Sequence, residues 1–568
     1  MREPVQLILN TKGFNLNSLT QDSYDFLIES AQNYYDYLVE NNLGYDEIKI
    51  QSISKTIFGL QLTLYSKLFS LEGLVLRFLD EEFPISENLS IQTSFYDEKH
   101  KILSLEIEES LKNQLFEKKN EIRLFSDLKF LVKNILNFYL SLKPLHFPTT
   151  LPRISPDIQA LKDLENPPHQ EQLEALEGIF SKSFCYVWGV AGSGKTKMVL
   201  LHALAFYLKS NLKVAILAPT NNALEQSLNT LIESLNNIGI DTSCILRLGT
   251  PTQTFAQRFP QNCDPLLNNK PNYKKAIQKS LLIAATLDTF LRRDELYELP
   301  FAHFFIDEAA FCPLIKVIPL CMFNKPITLL GDHKQLQPIC LLNKQDSNNP
   351  KWQISKFWQY SSLFLESFFR HQTNFFKGNP TTQINSPNYP FYTLTYTHRY
   401  GDNLAKLLDF YIYKNNLKGL PNHTNLFCHF IQTTSQENNA NLDEANACCY
   451  LAKRFLQEKK NFAILTPFVN QRKLILQKMP ALRNEECVFT IHSSQGQEFD
   501  CVIFSPVTLN YYLNDSRNPQ ALFALNVALS RAKKEIIIVC DKNYWLDQKG
   551  QFLNALIQIS KPFSLSQS

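Results

Sequence analysis

Three of the chain's 16 glycines fall within six residues, in Gly189-Val-Ala-Gly192-Ser193-Gly194-Lys195-Thr196. Glycine at that density marks backbone that must turn tightly or approach a bound group closely. The segment follows an apolar run at 184–188 and opens an amphipathic stretch from 195 to about 208. In a strand, loop and helix of this kind, the loop N–H groups point inward and the helix start adds a fixed positive end. The pattern is therefore that of a phosphate cradle. Lys195 would reach the β- and γ-phosphates of a nucleotide, and the Thr196 hydroxyl would bind Mg²⁺.

Further along, Phe304-Phe-Ile-Asp307-Glu308 is a hydrophobic strand ending in two carboxylates. At the end of such a strand Asp307 can hold the metal, and Glu308 can polarise an attacking water as general base. Gly331-Asp-His-Lys-Gln335 follows the next apolar run, which makes Gln335 a candidate sensor of the γ-phosphate. Phosphoryl transfer spreads negative charge over the γ-oxygens, and an arginine from across a cleft stabilises it. Arg531, in Leu525-Asn-Val-Ala-Leu-Ser-Arg531-Ala-Lys, is far from Lys195 in sequence and suits that role. Hydrolysis would then depend on closure of the cleft, and repeated closure could ratchet a bound strand.

The elements that must position these residues are short apolar strands alternating with helices. Runs at 184–188, 214–217, 281–285, 304–306 and 327–330, with amphipathic helices between several of them, predict a parallel sheet covered on both faces. A second alternating pattern begins near 391, with strands expected at 462–465, 488–491, 502–505 and 536–539. Between the two, residues 341–390 are rich in Asn, Gln, Ser, Pro and Phe and read as a linker or surface insertion. Ahead of the cradle, Pro144, Pro148, Pro152, Pro156, Pro167 and Pro168 mark a boundary. Residues 1–150 read as a helix at 21–41 (apolar stripe Phe26, Leu27, Ala31, Tyr34, Tyr35, Leu38), a β module, and helices at 109–117 and 122–142. Residues 90–107 read as two strands around a turn at 97–100, where Phe95 and Tyr96 are candidates for stacking on bases or for the core. The expected division is 1–150 accessory, 151–375 first domain and 376–568 second domain, with a frayed tail.

Composition narrows the class. The 568 residues are 44% hydrophobic and carry a net charge of +3, so nucleic-acid contacts must come from local clusters rather than a strongly basic field. The 12 cysteines include no CxxC pair, so neither a zinc nor an iron–sulfur site is expected, and free thiols suit a reducing cytoplasm. No signal peptide or membrane-spanning run is evident, and no nuclease constellation is found. Asn343-Lys-Gln-Asp346 matches a guanine-recognition pattern, but no DxxG follows the Asp307 strand, which disfavours a GTPase; an ABC-type signature is also absent.

Taken in order, the motifs resemble those of superfamily 1 helicases, in the branch of the nonsense-mediated-decay RNA helicase and its DNA-acting relatives. The resemblance spans about 169–543. It implies an α/β fold of two tandem RecA-like domains, with the helix–β–helix region as an accessory stalk and small barrel. It implies that Gln172 reads adenine, and that Gly189, Gly192, Ser193, Gly194, Lys195, Thr196 and Glu498 contact the nucleotide. Tyr396-Thr-His-Arg399-Tyr resembles the segment usually written QYRM, without its Gln and Met, and implies a γ-phosphate role for Arg399. Strand-gripping residues are implied at Pro219, Thr220, Asn221, Thr286, Thr466, Pro467, Thr490 and Ser493. The expected cofactors are ATP and Mg²⁺. The expected partners are single-stranded DNA or RNA and duplex junctions, with protein contacts through 1–150 and no membrane, in a monomeric cytoplasmic enzyme. The expected function is an ATP-dependent helicase moving 5′→3′. The alternatives are a nucleoprotein remodeller that does not unwind, and a nucleotide-switched subunit of a repair or defence assembly.

Overall fold

The computed structural model describes residues 18–563 apart from 66–67, 69–70, 72, 80, 86–89, 98–99, 128, 265–272, 344, 373–390, 432–435, 438, 484, 486, 495, 511 and 519. Its centre is a seven-stranded parallel sheet. From edge to edge the strands are Ile245–Arg247, Leu282–Thr286, Val214–Ala218, His303–Ile306, Ile327–Gly331, Phe184–Gly189 and Tyr392–Leu394. The inner strands are buried on both faces, and for that reason they read as unbroken apolar runs.

A six-stranded parallel sheet follows, ordered Val488–Thr490, Phe462–Thr466, Phe499–Phe504, Ala532–Asp541, Asn425–Ile431 and Lys561–Pro562. The fold class is therefore two parallel α/β sheets in tandem. One strand departs from the expected division. Tyr392–Leu394 lies beyond 376 yet pairs in parallel with Phe184–Gly189 of the first sheet, so the chain crosses to the second sheet only after Leu394.

Ahead of the sheets, helices Gln21–Glu40 and Lys129–Leu140 pack together and flank two four-stranded antiparallel sheets. These two sheets share one core, in which Leu60, Leu62 and Leu105 meet Leu76, Phe78 and Leu124. The helix expected at 122–142 is corrected. Ile122–Asp127 is a strand paired with Leu74–Phe78, with Ile122 and Leu124 inward and Arg123 outward, and the helix begins at Lys129. The buried stripe of the first helix is also rotated, to Tyr24, Leu27, Ala31, Tyr34, Tyr37 and Leu38. Tyr96 is half-buried and its hydroxyl accepts from Leu68 N at 2.8 Å, a structural role; Phe95's side chain lies outside the described residues.

Residues 341–372 are not a loose linker. Trp352, Phe357 and Trp358 are buried, and Trp358 Nε1 donates to Ser30 O at 3.2 Å. Tyr34 Oη accepts from Leu341 N at 3.0 Å, and Ser23 Oγ donates to Gln372 Oε1 at 2.6 Å. This segment fastens the first helix to the central sheet. Asn343 and Asp346 bond each other in a turn against Tyr37, which explains the guanine-like pattern as local structure. The remainder of the expected linker, 373–390, the first 17 residues and the last five lie outside the described residues. Among the described residues, no helix is long and apolar enough to cross a membrane.

Candidate nucleotide site and strand-facing edge

Parallel strands place their carboxyl ends on one edge, where a doubly wound sheet binds ligands. In the first sheet that edge carries the glycine-rich loop after Phe184–Gly189, Asp307 and Glu308 after His303–Ile306, and Gln335 beyond Ile327–Gly331. The second sheet presents its opposite edge to the same space. Glu498 and Arg531 stand at the amino ends of the adjacent strands Phe499–Phe504 and Ala532–Asp541, tied by Phe499 N to Arg531 O at 2.9 Å. Between the two edges lies a cavity of about 820 Å³, lined by Gln172, Gly192, Ser193, Gly194, Lys195, Thr196, Asp307, Glu308, Gln335, Arg399, Glu498 and Arg531. It brings together the catalytic and nucleotide-contacting candidates from both halves of the chain; Gly189 sits behind it as a loop carbonyl.

The loop is a tight one. Gly192 and Gly194 have φ of +81° and +85°, a region that costs an L side chain about 1–2 kcal/mol. Lys195 Nζ donates to Gly189 O at 2.5 Å and Val190 O at 3.2 Å, folded over its own loop. Burial pulls its pKa down, and Asp332, Glu308 and Asp307 oppose that. Ser193 Oγ is buried with no partner among the described residues. An unpaired buried hydroxyl beside a lysine is a site still owed an acceptor, and a phosphate oxygen supplies one. Gln172 is buried. Its Oε1 accepts from His169 N at 2.8 Å and its Nε2 donates to Ser193 O at 3.0 Å, so the side chain braces the cradle from the helix Gln170–Ser181.

Asp307 Oδ2 accepts from Ser227 Oγ at 2.5 Å and Oδ1 from Glu308 N at 3.0 Å. The Asp307 carboxylate and Thr196 hydroxyl are hard oxygen donors lining the same cavity and fit Mg²⁺. Glu308 has φ +51° without being glycine, a strained position of the kind found at reacting centres. Burial, then Asp307, pushes its carboxyl above the usual range.

Across the cavity, Arg531 is 2% exposed. Its guanidinium donates to Val527 O at 3.0 Å, to Gln497 O at 3.2 Å and to Gln335 Oε1 at 3.3 Å. Burial and the neighbouring Arg399 lower its pKa to about 10, still cationic at neutral pH. Arg399 pairs with Glu498 and donates to Ser530 O at 2.9 Å. Burial pushes the Glu498 carboxyl up, but Arg399 and Lys533 outweigh it and hold it down at about 2. Its two oxygens are thus paired with two cations, Arg399 and Lys533, on the wall of the cavity.

The strand-facing candidates divide. Pro219, Thr220, Asn221, Pro467, Thr490 and Ser493 sit partly or fully exposed at carboxyl ends of strands in both sheets. Thr466 and Thr286 are buried, and their hydroxyls accept from Phe468 N at 3.3 Å and Thr289 N at 3.2 Å. Those two shape the edge rather than face a ligand. Asn221 Oδ1 accepts from Arg247, which also pairs with Glu225 at 3.0 Å. Sequence reasoning missed Ser227, Asp332 and Lys533. Asp332 stood within the Gln335 motif, whereas Ser227 reaches Asp307 only through packing of the helix Asn221–Asn237.

Residues 169–287 match a family described as DEAD/DEAH box helicase, and 264–343 and 381–543 match two families each described as AAA domain. The chain is 25% identical over 440 residues to "Regulator of nonsense transcripts 1" of Dictyostelium discoideum, covering 65% of this chain and 30% of that protein. It is 24% identical over 405 residues to "DNA replication ATP-dependent helicase/nuclease JHS1" of Arabidopsis thaliana, covering 66% and 28%. It is 24% identical over 432 residues to "ATP-dependent helicase upf1" of Schizosaccharomyces pombe, covering 65% and 44%. The match thus spans less than half the length of each of these relatives. Among solved structures, the PRRSV helicase aligns with a TM-score of 0.36 at 15% identity, covering 90% of this chain and 71% of that one. The motif series on two parallel sheets and these sequence relatives agree, and together they support a superfamily 1 helicase of the Upf1-like branch.

Proposed function

We propose that the chain is an ATP-driven translocase that closes its two sheets on ATP, moves along single-stranded DNA or RNA in the 5′→3′ direction, and separates duplexes ahead of it. The observation that carries this reading is Arg531 of the second sheet bonded to Gln335 of the first, beside Lys195 and Glu308. An arginine so placed makes hydrolysis conditional on closure, which is what a motor requires.

The chain's own groups divide the work. The loop amides, Ser193 and Lys195 hold the phosphates. Glu308, raised by burial, accepts the proton of the attacking water from a position fixed by strained backbone. Arg531 and Arg399 stabilise charge spreading over the γ-oxygens, and Gln335 reports that charge to Arg531. Thr196 and Asp307 would hold Mg²⁺, which when bound neutralises phosphate charge. Pro219, Thr220 and Asn221 stand at strand ends of the first sheet and Pro467, Thr490 and Ser493 at strand ends of the second, so a strand held by both sets is gripped at two places whose spacing changes as the cleft works. Twelve unpaired cysteines suit a reducing cytoplasm.

The test is ATP hydrolysis with and without single-stranded DNA or RNA, for wild type and Lys195→Ala, followed by displacement of duplexes with 5′ or 3′ tails. Strand-stimulated turnover that is lost in the variant, with unwinding from 5′ tails, is expected. Turnover indifferent to nucleic acid would refute the motor; stimulation without displacement would favour a remodeller.

A further inference from the structure

We infer that Tyr413 is a positioning residue that couples cleft closure to the alignment of Gln335 and Arg531, by donating its hydroxyl across the cleft to Asp332. The inference rests on the motor reading above and names a control point within it.

Tyr413 ends a turn that is wider than an α-helix: Lys414 N donates to Asp409 O at 2.9 Å, an i→i+5 bond. Such widened turns concentrate at functional sites. Lys414 and Asn416 follow with φ of +53° and +63°, neither of them glycine. Asp409 Oδ1 holds this strained turn by accepting from Asn415 N at 2.9 Å and Leu417 N at 3.1 Å. Strain kept in place by dedicated bonds calls for a reason, and the residue it aims is Tyr413.

The Tyr413 hydroxyl is buried and donates to Asp332 Oδ2 at 2.6 Å. It accepts from Asn526 Nδ2 at 2.7 Å, and the same Nδ2 donates to Lys334 O at 2.9 Å. Asn526 lies on the helix Gln520–Leu529, just before Arg531. Asp332 is 1% exposed. It also receives Trp188 Nε1, Lys334 N and Gln335 Nε2, each at 3.0 Å. The last bond decides the chemistry. By holding the NH₂ end of the Gln335 amide, Asp332 leaves the carbonyl end facing Arg531. A flipped amide would aim a donor at a cation. Tyr413 and Asn526 can make their bonds to Asp332 and Lys334 only when the two sheets are together. Closure therefore completes the shell of Asp332, which fixes Gln335, which receives Arg531.

The test compares Tyr413→Phe with Tyr207→Phe. Tyr207 is a buried tyrosine on the helix Leu201–Lys209 whose hydroxyl bond, 2.8 Å to His303 Nδ1 of the first sheet, does not cross the cleft. Loss of a bond to a buried carboxylate predicts that Tyr413→Phe lowers strand-stimulated kcat about tenfold to hundredfold, with KM for ATP changed by less than about threefold. Hydrogen exchange at the Lys334 and Gln335 amides should speed up in that variant, and Tyr207→Phe should do neither. A Tyr413→Phe enzyme with kcat close to wild type, or an equal loss in Tyr207→Phe, overturns the inference. If wild type hydrolyses no ATP, the motor reading fails on its own. The exchange comparison with a non-hydrolysable ATP analogue then decides: faster exchange at Lys334 and Gln335 in Tyr413→Phe supports the latch, and unchanged exchange overturns it.

Discussion

Replacing Glu444 by Gln removes a titration that the fold makes costly. Glu444 lies in the first turn of the helix Leu442–Gln457 and is fully buried. Its Oε2 accepts from Ser505 Oγ at 2.6 Å and Val507 N at 3.0 Å, while Oε1 has no partner among the described residues. Burial pushes its carboxyl from 4.5 to about 8, against the two bonds that lower it. Between those values the folded protein keeps a proton that the unfolded chain has released, so stability falls as pH rises. At about 1.4 kcal/mol per pH unit, the wild type loses about 3 kcal/mol between about pH 5.5 and about pH 7.5. For a domain of this size that is a fall in Tm of about 6–12 °C. Gln keeps an acceptor for Ser505 and Val507 but has nothing to titrate. The Glu444→Gln protein should therefore match wild type at the acidic end and exceed it at the neutral end. Thermal melts across that range, with hydrogen exchange along Leu442–Gln457 to localise the effect, make the comparison. Equal pH slopes in both proteins, or a variant less stable than wild type near pH 7.5, would refute the reasoning.

Two further substitutions address the site directly. Arg531→Ala should lower strand-stimulated kcat by about 10³–10⁵ while leaving affinity for a non-hydrolysable ATP analogue within about tenfold, because a finger acts on the transition state rather than on binding; steady-state kinetics and fluorescent-analogue titration separate the two. Ser227→Ala removes the hydroxyl that holds Asp307 Oδ2, and should raise the Mg²⁺ concentration needed for half-maximal turnover about 10- to 100-fold, as loss of a partner behind a metal ligand does; a Mg²⁺ titration at saturating ATP shows it.

Much of this was legible because buried parallel strands write themselves as unbroken apolar runs, and chemistry collects at their ends. Asp307 after Phe-Phe-Ile and Lys195 after the glycines follow from that rule alone. The errors fell where local pattern is ambiguous. Ile122-Arg-Leu-Phe-Ser runs directly into a true helix, and its alternation is settled only by the partner strand Leu74–Phe78. Tyr392–Leu394 is three residues long, too short to announce that the chain turns back to the first sheet before leaving it. Residues 341–372 looked irregular because their buried Trp352, Phe357 and Trp358 answer to a helix more than 300 residues earlier. Ser227 and Tyr413 owe their roles to distances across the fold that no spacing in sequence encodes.

Two glycines at the cleft should respond very differently to the same added methyl, and the difference tests how the halves meet. Gly192 and Gly496 both have φ near the left-handed region, at +81° and +85°, so alanine at either costs about 1–2 kcal/mol locally. What surrounds them is unlike. A Cβ at Gly192 would stand 2.5 Å from Arg399 Cβ and 3.1 Å from Arg399 N. That neighbour cannot swing aside, because His398 N is bonded to Gly192 O at 2.9 Å and Thr397 Oγ1 to Ala191 O at 2.7 Å. The loop and the strand Tyr396–Gly401 that carries Arg399 must separate by about 1 Å, a displacement that costs about 100-fold in rate when it falls between reacting groups. A Cβ at Gly496 would meet the Gln226 Oε1 at 2.4 Å, the free end of a long side chain that can rotate away. Gly192→Ala should therefore lower kcat about 100-fold or more, and Gly496→Ala by less than about tenfold, with both proteins folded by circular dichroism. Equal losses would mean that backbone strain alone matters at these positions, and that the contact between the phosphate loop and Arg399 does not form during turnover.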